Sequence, residues 1–165
     1  VLAVSAGGTW PDSTKVAVVP WTRNERSAVA GLKTTSYAEN VVALALAQAS
    51  GASDAIFTKT RDELCEGTGS NIFIVVDGEL LTPPLSSGCL AGITRELVIE
   101  WSDAREVTID RALWERADEA FLTSSTRDVQ PIHAVDEREL AGVDGPVSAL
   151  ARKEFASRSG TDLDP

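Results

Sequence analysis

The chain has 165 residues, 43% hydrophobic and 24% charged, which is ordinary for a folded protein with one core. The formal net charge of −10 argues against a nucleic-acid-binding surface, and the apolar runs are far shorter than the roughly 20 residues that a membrane helix needs. The sequence contains no methionine, and residues 1–10 lack the basic start of a signal peptide. We therefore expect a cytoplasmic protein that is processed or truncated.

Strand and helix signals alternate along the chain. In the first half, the predicted elements are a strand at 15–19, a loop with a further short strand from Pro20 to Gly31, a helix from the capping-box sequence Ser36-Tyr37-Ala38-Glu39 to Gly51, and strands at 54–60, 71–76 and 79–83 with a hairpin turn at Asp77-Gly78. In the second half, they are a loop at 86–92, a helix at 93–102, a strand at 105–111, a helix at 112–121, two strands within 120–136 around a hydroxyl-rich loop, and a helix at 146–159 before a tail. The first helix is so apolar that we expect it to be mostly buried. Together these elements predict an α+β fold in a single domain over residues 1–165.

The few histidines and cysteines restrict the chemistry that the chain can support. His133 is the single histidine, so a histidine-cluster metal site is excluded and no metal site is predicted. Its place after Pro131 indicates a turn or strand edge rather than a catalytic triad. Cys65 and Cys89 do not form a Cys-x-x-Cys pair, so we expect free thiols, as in a cytosolic protein.

A lysine, Lys33, lies just ahead of the predicted first helix, within the run "GLKTTSYAENVVAL". Its immediate neighbours carry no charge, and the positive end of a helix dipole disfavours an ammonium group. A desolvated lysine in such a place has a lowered pKa and can attack a carbonyl group. The alternative is an ordinary solvent-exposed lysine in a loop.

Three further loops carry groups that could hold one ligand with Lys33. Glu66 is followed by small residues that let a ligand approach the backbone, and its carboxylate could pair with a protonated ring nitrogen. Thr94 lies at a helix start, where free N–H groups bind anions, and the run "TSSTRD" adds the hydroxyls of Ser125 and Thr126. The Glu66 loop and the run "TSSTRD" could each be an ordinary turn instead. Taken together, they fit the aldehyde, ring nitrogen and phosphate of pyridoxal phosphate.

Four runs of this sequence also resemble a known family: "GLKTTSYAEN", "ELCEGTGSNIF", "LLTPPLSSGCLAGITRELVI" and "FLTSSTRDVQPI", in this order between residues 31 and 132. They are similar to the class IV aminotransferases, the fold-type IV pyridoxal-phosphate enzymes. This family includes branched-chain and D-amino acid aminotransferases, amine transaminases and aminodeoxychorismate lyase. The resemblance implies the large cofactor-binding domain of this α+β fold, without the small N-terminal domain that family members carry ahead of it.

The resemblance also implies a role for each matching residue. Lys33 falls on the lysine that forms the aldimine with the cofactor and moves the substrate proton, and Glu66 falls on the glutamate that pairs with the pyridine nitrogen. The remaining implied cofactor contacts are Leu90 on the ring face, Ile93 and Thr94 in a phosphate cup, Ser125 and Thr126 in its second wall, and Tyr37 near the ring oxygen, where the match needs a one-residue gap.

Three functions follow from these observations. The first is a transaminase that moves an amino group between an amine or amino acid and a 2-keto acid. The second is a 4-amino-4-deoxychorismate lyase that yields 4-aminobenzoate and pyruvate. The third is a non-catalytic domain, against which the joint presence of Lys33 and Glu66 argues, because buried charges are costly without a task. By resemblance we expect a homodimer, with the family's N-terminal segment as a further partner.

Overall fold

The computed structural model describes residues 9–161. The expectations for the first eight residues and for the last four residues of the tail lie outside this range. Within it, the strands are β1 (Thr14–Arg23), β2 (Asp54–Lys59), β3 (Leu64–Gly67), β4 (Asn71–Val76), β5 (Glu79–Thr82), β6 (Arg105–Glu106), β7 (Glu119–Ser124), β8 (Asp128–Val135) and β9 (Arg138–Glu139). The α-helices are α1 (Ala38–Ala49), α2 (Ile93–Glu100), α3 (Arg111–Glu115) and α4 (Pro146–Ser159), with short 3-10 turns at Leu85–Ser87 and Gly142–Asp144. None of the helices in this range is long and apolar enough to cross a membrane.

The strands form one mixed sheet in the order β3-β2-β1-β8-β7-β4-β5-β6, with β9 attached to β8. β1 runs parallel to both β2 and β8, and β5 runs parallel to β6, whereas the other pairs are antiparallel. Buried side chains from strands at both ends of this order share one core, including Ile56, Leu64, Ile72, Leu122 and Ile132. The sheet therefore curls around this core, and the α+β prediction is confirmed.

The helices pack on the outside of the curled sheet. Ala43 and Ala47 of α1 pack with Phe57 of β2. On another face, α2 and α4 cover Phe73 and Phe121, whose rings stack with centroids 4.9 Å apart. This packing leaves the loops between β3 and β4 and between β7 and β8 free to build a site.

Most predicted strands are confirmed, and the hairpin turn is confirmed in detail. Asp77 and Gly78 have φ angles of 52° and 81°, as a two-residue turn with positive φ at both positions requires. β1 is longer than the predicted strand at 15–19. Its pairing with β2 shifts register between Val18 and Thr22, and this irregularity accommodates Pro20 inside the strand.

The predicted capping box at the start of α1 is wrong. Tyr37 is the N-cap residue, and no side chain in the described part of the chain caps it. The prediction that this helix is mostly buried is also wrong, since Val41, Val42 and Leu46 are 64%, 54% and 46% exposed. The fully buried side chains of α1 are the small ones of Ala43 and Ala47, whereas these larger apolar side chains point outward.

Two predictions between residues 105 and 121 are wrong in part. The strand predicted at 105–111 is only the two-residue β6, after which Asp110 caps α3. The helix predicted at 112–121 ends at Glu115, because residues 119–124 pair with β4 as β7. Pairing with a distant strand overrides the local helical spacing here. The strands β3 and β9 were not predicted, because they are short and carry no alternating pattern.

Candidate active site

A cavity of about 470 Å³ lies where β3 ends, β4 begins and β7 ends. Seven of the eight predicted site residues line it: Lys33, Glu66, Leu90, Ile93, Thr94, Ser125 and Thr126. They come from four separate segments, namely the β1–α1 loop, the end of β3, the start of α2 with the loop before it, and the β7–β8 turn. The curled sheet brings these segments to one end of the molecule. The eighth, Tyr37, lies in an adjoining smaller pocket that shares Glu66 and Leu90 with the main cavity.

Lys33 lies in the loop between β1 and α1, and its side chain reaches the first residue before that helix. Its Nζ donates a hydrogen bond to Tyr37 Oη at 2.9 Å and lies 5.1 Å from the centre of the same ring. This contact places the amine and the phenol together. However, residues 9–161 leave Lys33 exposed, which differs from the desolvated lysine that we expected.

Glu66, at the end of β3, is 5% exposed and held on both of its oxygens. Oε2 accepts a hydrogen bond from the Leu90 backbone N–H at 2.9 Å, and Oε1 lies 3.5 Å from Arg23 Nε. Burial raises the pKa of Glu66, whereas the Leu90 N–H and the Arg23 guanidinium act in the opposite direction. The structure thus presents a buried carboxylate with a cation beside it.

Arg23 is a site residue that sequence reasoning missed. Its guanidinium stacks on the Phe57 ring at 4.3 Å and donates to Asn40 Oδ1 at 3.1 Å, which holds it beside Glu66. The predicted strand ended four residues earlier, so nothing in the local sequence placed this arginine near Glu66. Its partner Glu66 lies 43 residues further along the chain, so no local signal could have found it.

Two asparagines at the cavity were also missed, and both fasten its walls. Asn40 Nδ2 donates to the Thr68 carbonyl at 2.6 Å, and Asn71 Nδ2 donates to the Leu90 carbonyl at 2.8 Å. The first bond ties α1 to the β3–β4 turn, and the second ties β4 to the loop before α2. These bonds fix loops that would otherwise be independent.

The cavity wall formed by the start of α2 and the β7–β8 turn offers hydrogen-bond donors and no charged side chain. Ile93 and Thr94 open α2, whose N-cap Gly92 contributes no side-chain cap, so the first backbone N–H groups keep no such partner in residues 9–161. Ser125 and Thr126 are exposed in the turn between β7 and β8. Thr123 Oγ1 is buried beside them and has no hydrogen-bond partner in the described part of the chain. Such a wall suits an anion.

The histidine and cysteines stay outside this site. His133 lies in β8, is exposed, and its Nδ1 is 3.0 Å from Ser13 Oγ. Cys65 and Cys89 are both free and buried, so the prediction of free thiols is confirmed. Burial raises the pKa of Cys65 to about 12, which keeps its thiol protonated and unreactive.

Comparison with known proteins gives consistent results. The family model for amino-transferase class IV matches residues 5–135. The branched-chain-amino-acid aminotransferase of Pseudomonas aeruginosa is 36% identical over 126 residues, which make up 73% of this chain and 41% of that protein. This chain therefore spans well under two thirds of that relative.

Solved structures share the fold over nearly the whole chain. A Legionella pneumophila protein provisionally named 4-amino-4-deoxychorismate lyase superimposes with a TM-score of 0.86 at 26% identity, covering 92% of this chain and 58% of that one. The branched-chain amino acid aminotransferase of Thermobaculum terrenum, solved in its PLP-form, gives a TM-score of 0.83 at 32% identity, covering 92% and 52%. The family match over most of the sequence, together with this shared fold, shows that the chain belongs to the class IV aminotransferase family.

Proposed function

We propose that this chain is the pyridoxal-phosphate-binding part of a transaminase that moves an amino group between an amine or amino acid and a 2-keto acid. The observation that carries this proposal is the cavity of about 470 Å³ that Lys33 and Glu66 line together with the donor-rich wall at α2. The relative from Pseudomonas aeruginosa is named for such a reaction, and the Thermobaculum terrenum structure is of the PLP-form. Both support the proposal.

The residues of the cavity fit this cofactor. Glu66 would offer its buried carboxylate to a protonated pyridine nitrogen, and Leu90, which also lines the cavity, would cover the ring face. The orphaned hydroxyl of Thr123 adds a buried polar atom to the wall that would hold the phosphate. The donors proposed for that phosphate are the hydroxyls of Thr94, Ser125 and Thr126 and the backbone N–H groups of Ile93 and Thr94.

The residues of the cavity would have separate roles in the reaction. Pyridoxal phosphate, when bound, supplies an electron sink for the carbanion formed at the substrate Cα. Lys33 takes the proton from that Cα as a general base and returns it during product formation. Tyr37 orients the Lys33 amine through its hydrogen bond of 2.9 Å. Glu66 would hold a proton on the pyridine nitrogen, and Arg23 favours the ionised carboxylate by opposing the effect of burial on the Glu66 pKa.

A lyase is the second candidate, because the Legionella pneumophila structure overlays with a TM-score of 0.86. In that reaction, proton removal by the same Lys33 would lead to elimination, giving 4-aminobenzoate and pyruvate from 4-amino-4-deoxychorismate. The proposed partners are the small-molecule substrates, a second copy of the chain and the family's small N-terminal domain. We place the protein in the cytoplasm as part of the same proposal.

Borohydride trapping tests the cofactor assignment. The purified chain would be incubated with pyridoxal phosphate, reduced, digested and mapped by mass spectrometry across its four lysines, Lys15, Lys33, Lys59 and Lys153. We expect the reduced adduct on Lys33, and its loss in Lys33→Ala. Lys153→Ala is the matched control, because Lys153 is also exposed but lies on α4. An adduct spread over all four lysines would contradict the proposal.

Product analysis then separates the two reactions. A transaminase converts an added 2-keto acid into its amino acid and needs that acceptor to turn over. A lyase releases pyruvate from 4-amino-4-deoxychorismate without an acceptor. A chain that forms the Lys33 adduct but yields neither product would support the non-catalytic alternative.

A further inference from the structure

A buried charged cluster lies behind the cavity, and the mechanism above does not use it. It consists of Asp54, Thr68, Ser70 and Arg127, and we call it the Asp54 cluster. Asp54 is 1% exposed at the start of β2, and the side chain of Arg127 is 7% exposed. Neither charged side chain lines the cavity itself. Neither side chain therefore contacts a ligand in the cavity directly, but both hold residues that line it.

Asp54 fixes the turn between β3 and β4. Its Oδ1 accepts hydrogen bonds from the Thr68 backbone N–H at 3.0 Å and from Thr68 Oγ1 at 2.5 Å, and its Oδ2 accepts one from Ser70 Oγ at 2.8 Å. Thr68 and Ser70 both line the cavity, directly after Glu66. One buried carboxylate thus sets the conformation of this wall.

Arg127 fixes the turn between β7 and β8 to the same place. Its Nη2 lies 3.6 Å from Asp54 Oδ2 and donates to the Ser53 carbonyl at 3.0 Å. Its Nη1 donates to Ser53 Oγ at 3.1 Å and to Gln130 Oε1 at 2.6 Å, and the guanidinium stacks on Trp10 at 3.7 Å. The arginine is therefore held on several sides.

The backbone of Arg127 closes the turn that carries Ser125 and Thr126. Its N–H lies 3.2 Å from both the carbonyl and Oγ of Ser124. Because the guanidinium is anchored at the start of β2 and the backbone closes the turn, the positions of the two hydroxyls depend on the anchor. A lysine could not replace this planar, multiply bonded group.

The energetics of such a cluster favour a positional role over a stabilising one. Burying two charges costs desolvation energy that their attraction often fails to recover, so a buried ion pair is weak evidence for stability. Buried polar networks are instead able to fix a unique local arrangement when all members are bonded. The two turns joined here are the two that line the cavity beside β4.

We propose that Asp54 and Arg127 are positioning residues that lock the 68–70 and 124–128 turns together, so that Ser125 and Thr126 recognise the phosphate of the cofactor. This inference rests on the proposed function. It predicts a selective effect: disturbing the cluster weakens binding of the phosphate group and spares the rest of the cofactor.

The test compares two aldehydes, pyridoxal phosphate and unphosphorylated pyridoxal, on the purified chain by absorbance titration. For Arg127→Ala we expect the affinity for pyridoxal phosphate to fall about 10- to 100-fold, the range seen when groups that orient direct ligand contacts are removed. The affinity for pyridoxal should change less than about threefold, with the adduct still on Lys33. Arg127→Lys should show the same selective loss, because it keeps the charge and loses the fork.

Two further variants complete the design. Arg116→Ala is the matched control, since Arg116 pairs with Asp77 in the turn at the other end of β4 and should leave both affinities unchanged. Asp54→Asn keeps the shape of the side chain and removes its charge, so it gives the same selective loss even where Arg127→Ala does not fold. Combined with Arg127→Lys, it should give less than additive losses, because the two residues act through one contact.

The outcomes separate this inference from the proposed function. Equal losses for both aldehydes, or unchanged binding of pyridoxal phosphate in Arg127→Lys and Asp54→Asn, would overturn the positioning role alone. Wild-type protein that forms no Lys33 adduct with either aldehyde would overturn the proposed function, and the inference with it.

Discussion

Gly92, the residue before α2, lies so close to Asn71 that a Cβ atom there would stand 2.2 Å from Asn71 Oδ1. We therefore expect Gly92→Ala to displace Asn71, break its bond to the Leu90 carbonyl and destabilise the fold by about 1–3 kcal/mol, as overpacking does. Gly69→Ala is the matched control in the same cavity, because no atom of residues 9–161, apart from its chain neighbours, lies within 4 Å of the added methyl group. Urea unfolding of both variants measures the difference. Equal stability of the two would contradict this account.

Glu66 makes stability depend on pH, and the sign follows from its environment. Burial raises the pKa of Glu66 above the ordinary value of 4.5, and the negative charge of Asp54 acts in the same direction. The positive charges of Arg23 and Lys33 act in the opposite direction. Below the ordinary pKa the carboxyl is protonated in both states. As the pH rises, the Glu66 carboxyl ionises first in the unfolded chain. The free energy of unfolding therefore falls until the pH passes the pKa of Glu66 in the folded state.

Glu66→Gln should remove this dependence. We expect the free energy of unfolding of wild type, minus that of the variant, to decrease as the pH rises from about 4.5, by at most about 1.4 kcal/mol per pH unit. Urea unfolding between pH 4 and 8 measures it. Glu100→Gln, at an exposed position of α2, is the control for the chemical change itself. A difference that stays flat or grows with pH would refute the assignment.

At the scale of elements, α1 and α3 begin in different ways. Asp110 caps α3 by accepting a hydrogen bond from the Leu113 N–H at 2.8 Å, whereas Ser36 makes no cap for α1 in the described chain. We expect Asp110→Ala to cost about 1 kcal/mol of stability and Ser36→Ala less than about 0.5 kcal/mol. Chemical denaturation of the two variants gives both values. A larger loss for Ser36→Ala would restore the capping box that the sequence predicted.

At the scale of the whole molecule, the outer face of α1 exposes Val41, Val42 and Leu46. An apolar helix face of this kind is usually covered in the working assembly. If the proposed homodimer forms through it, Val42→Glu should shift the chain toward the monomer, because a buried charge without a partner is costly. Sedimentation equilibrium measures the mass. Gln48→Glu, an exposed change on the same helix, should leave the dimer intact, and equal masses for wild type and Val42→Glu would argue against this face.

The sequence by itself determined the local chemistry and most of the elements. Turn residues with a required backbone geometry, such as Asp77-Gly78, and apolar runs, such as β4, act over a few positions, so their structure is readable from neighbours alone. The motif runs around Lys33, Glu66 and Thr94 likewise lie within single segments. Seven of the eight residues they indicated line one cavity.

Only the tertiary structure decided what depends on distant pairing. Residues 119–121, which end the predicted helix at 112–121, instead begin β7, because β4 offers a partner strand. Arg23 pairs with Glu66, 43 residues away in the sequence, and Arg127 pairs with Asp54, 73 residues away. No local sequence pattern predicts either ion pair. The curl of the sheet makes these meetings possible, because it brings strand ends that are remote in sequence to one end of the molecule.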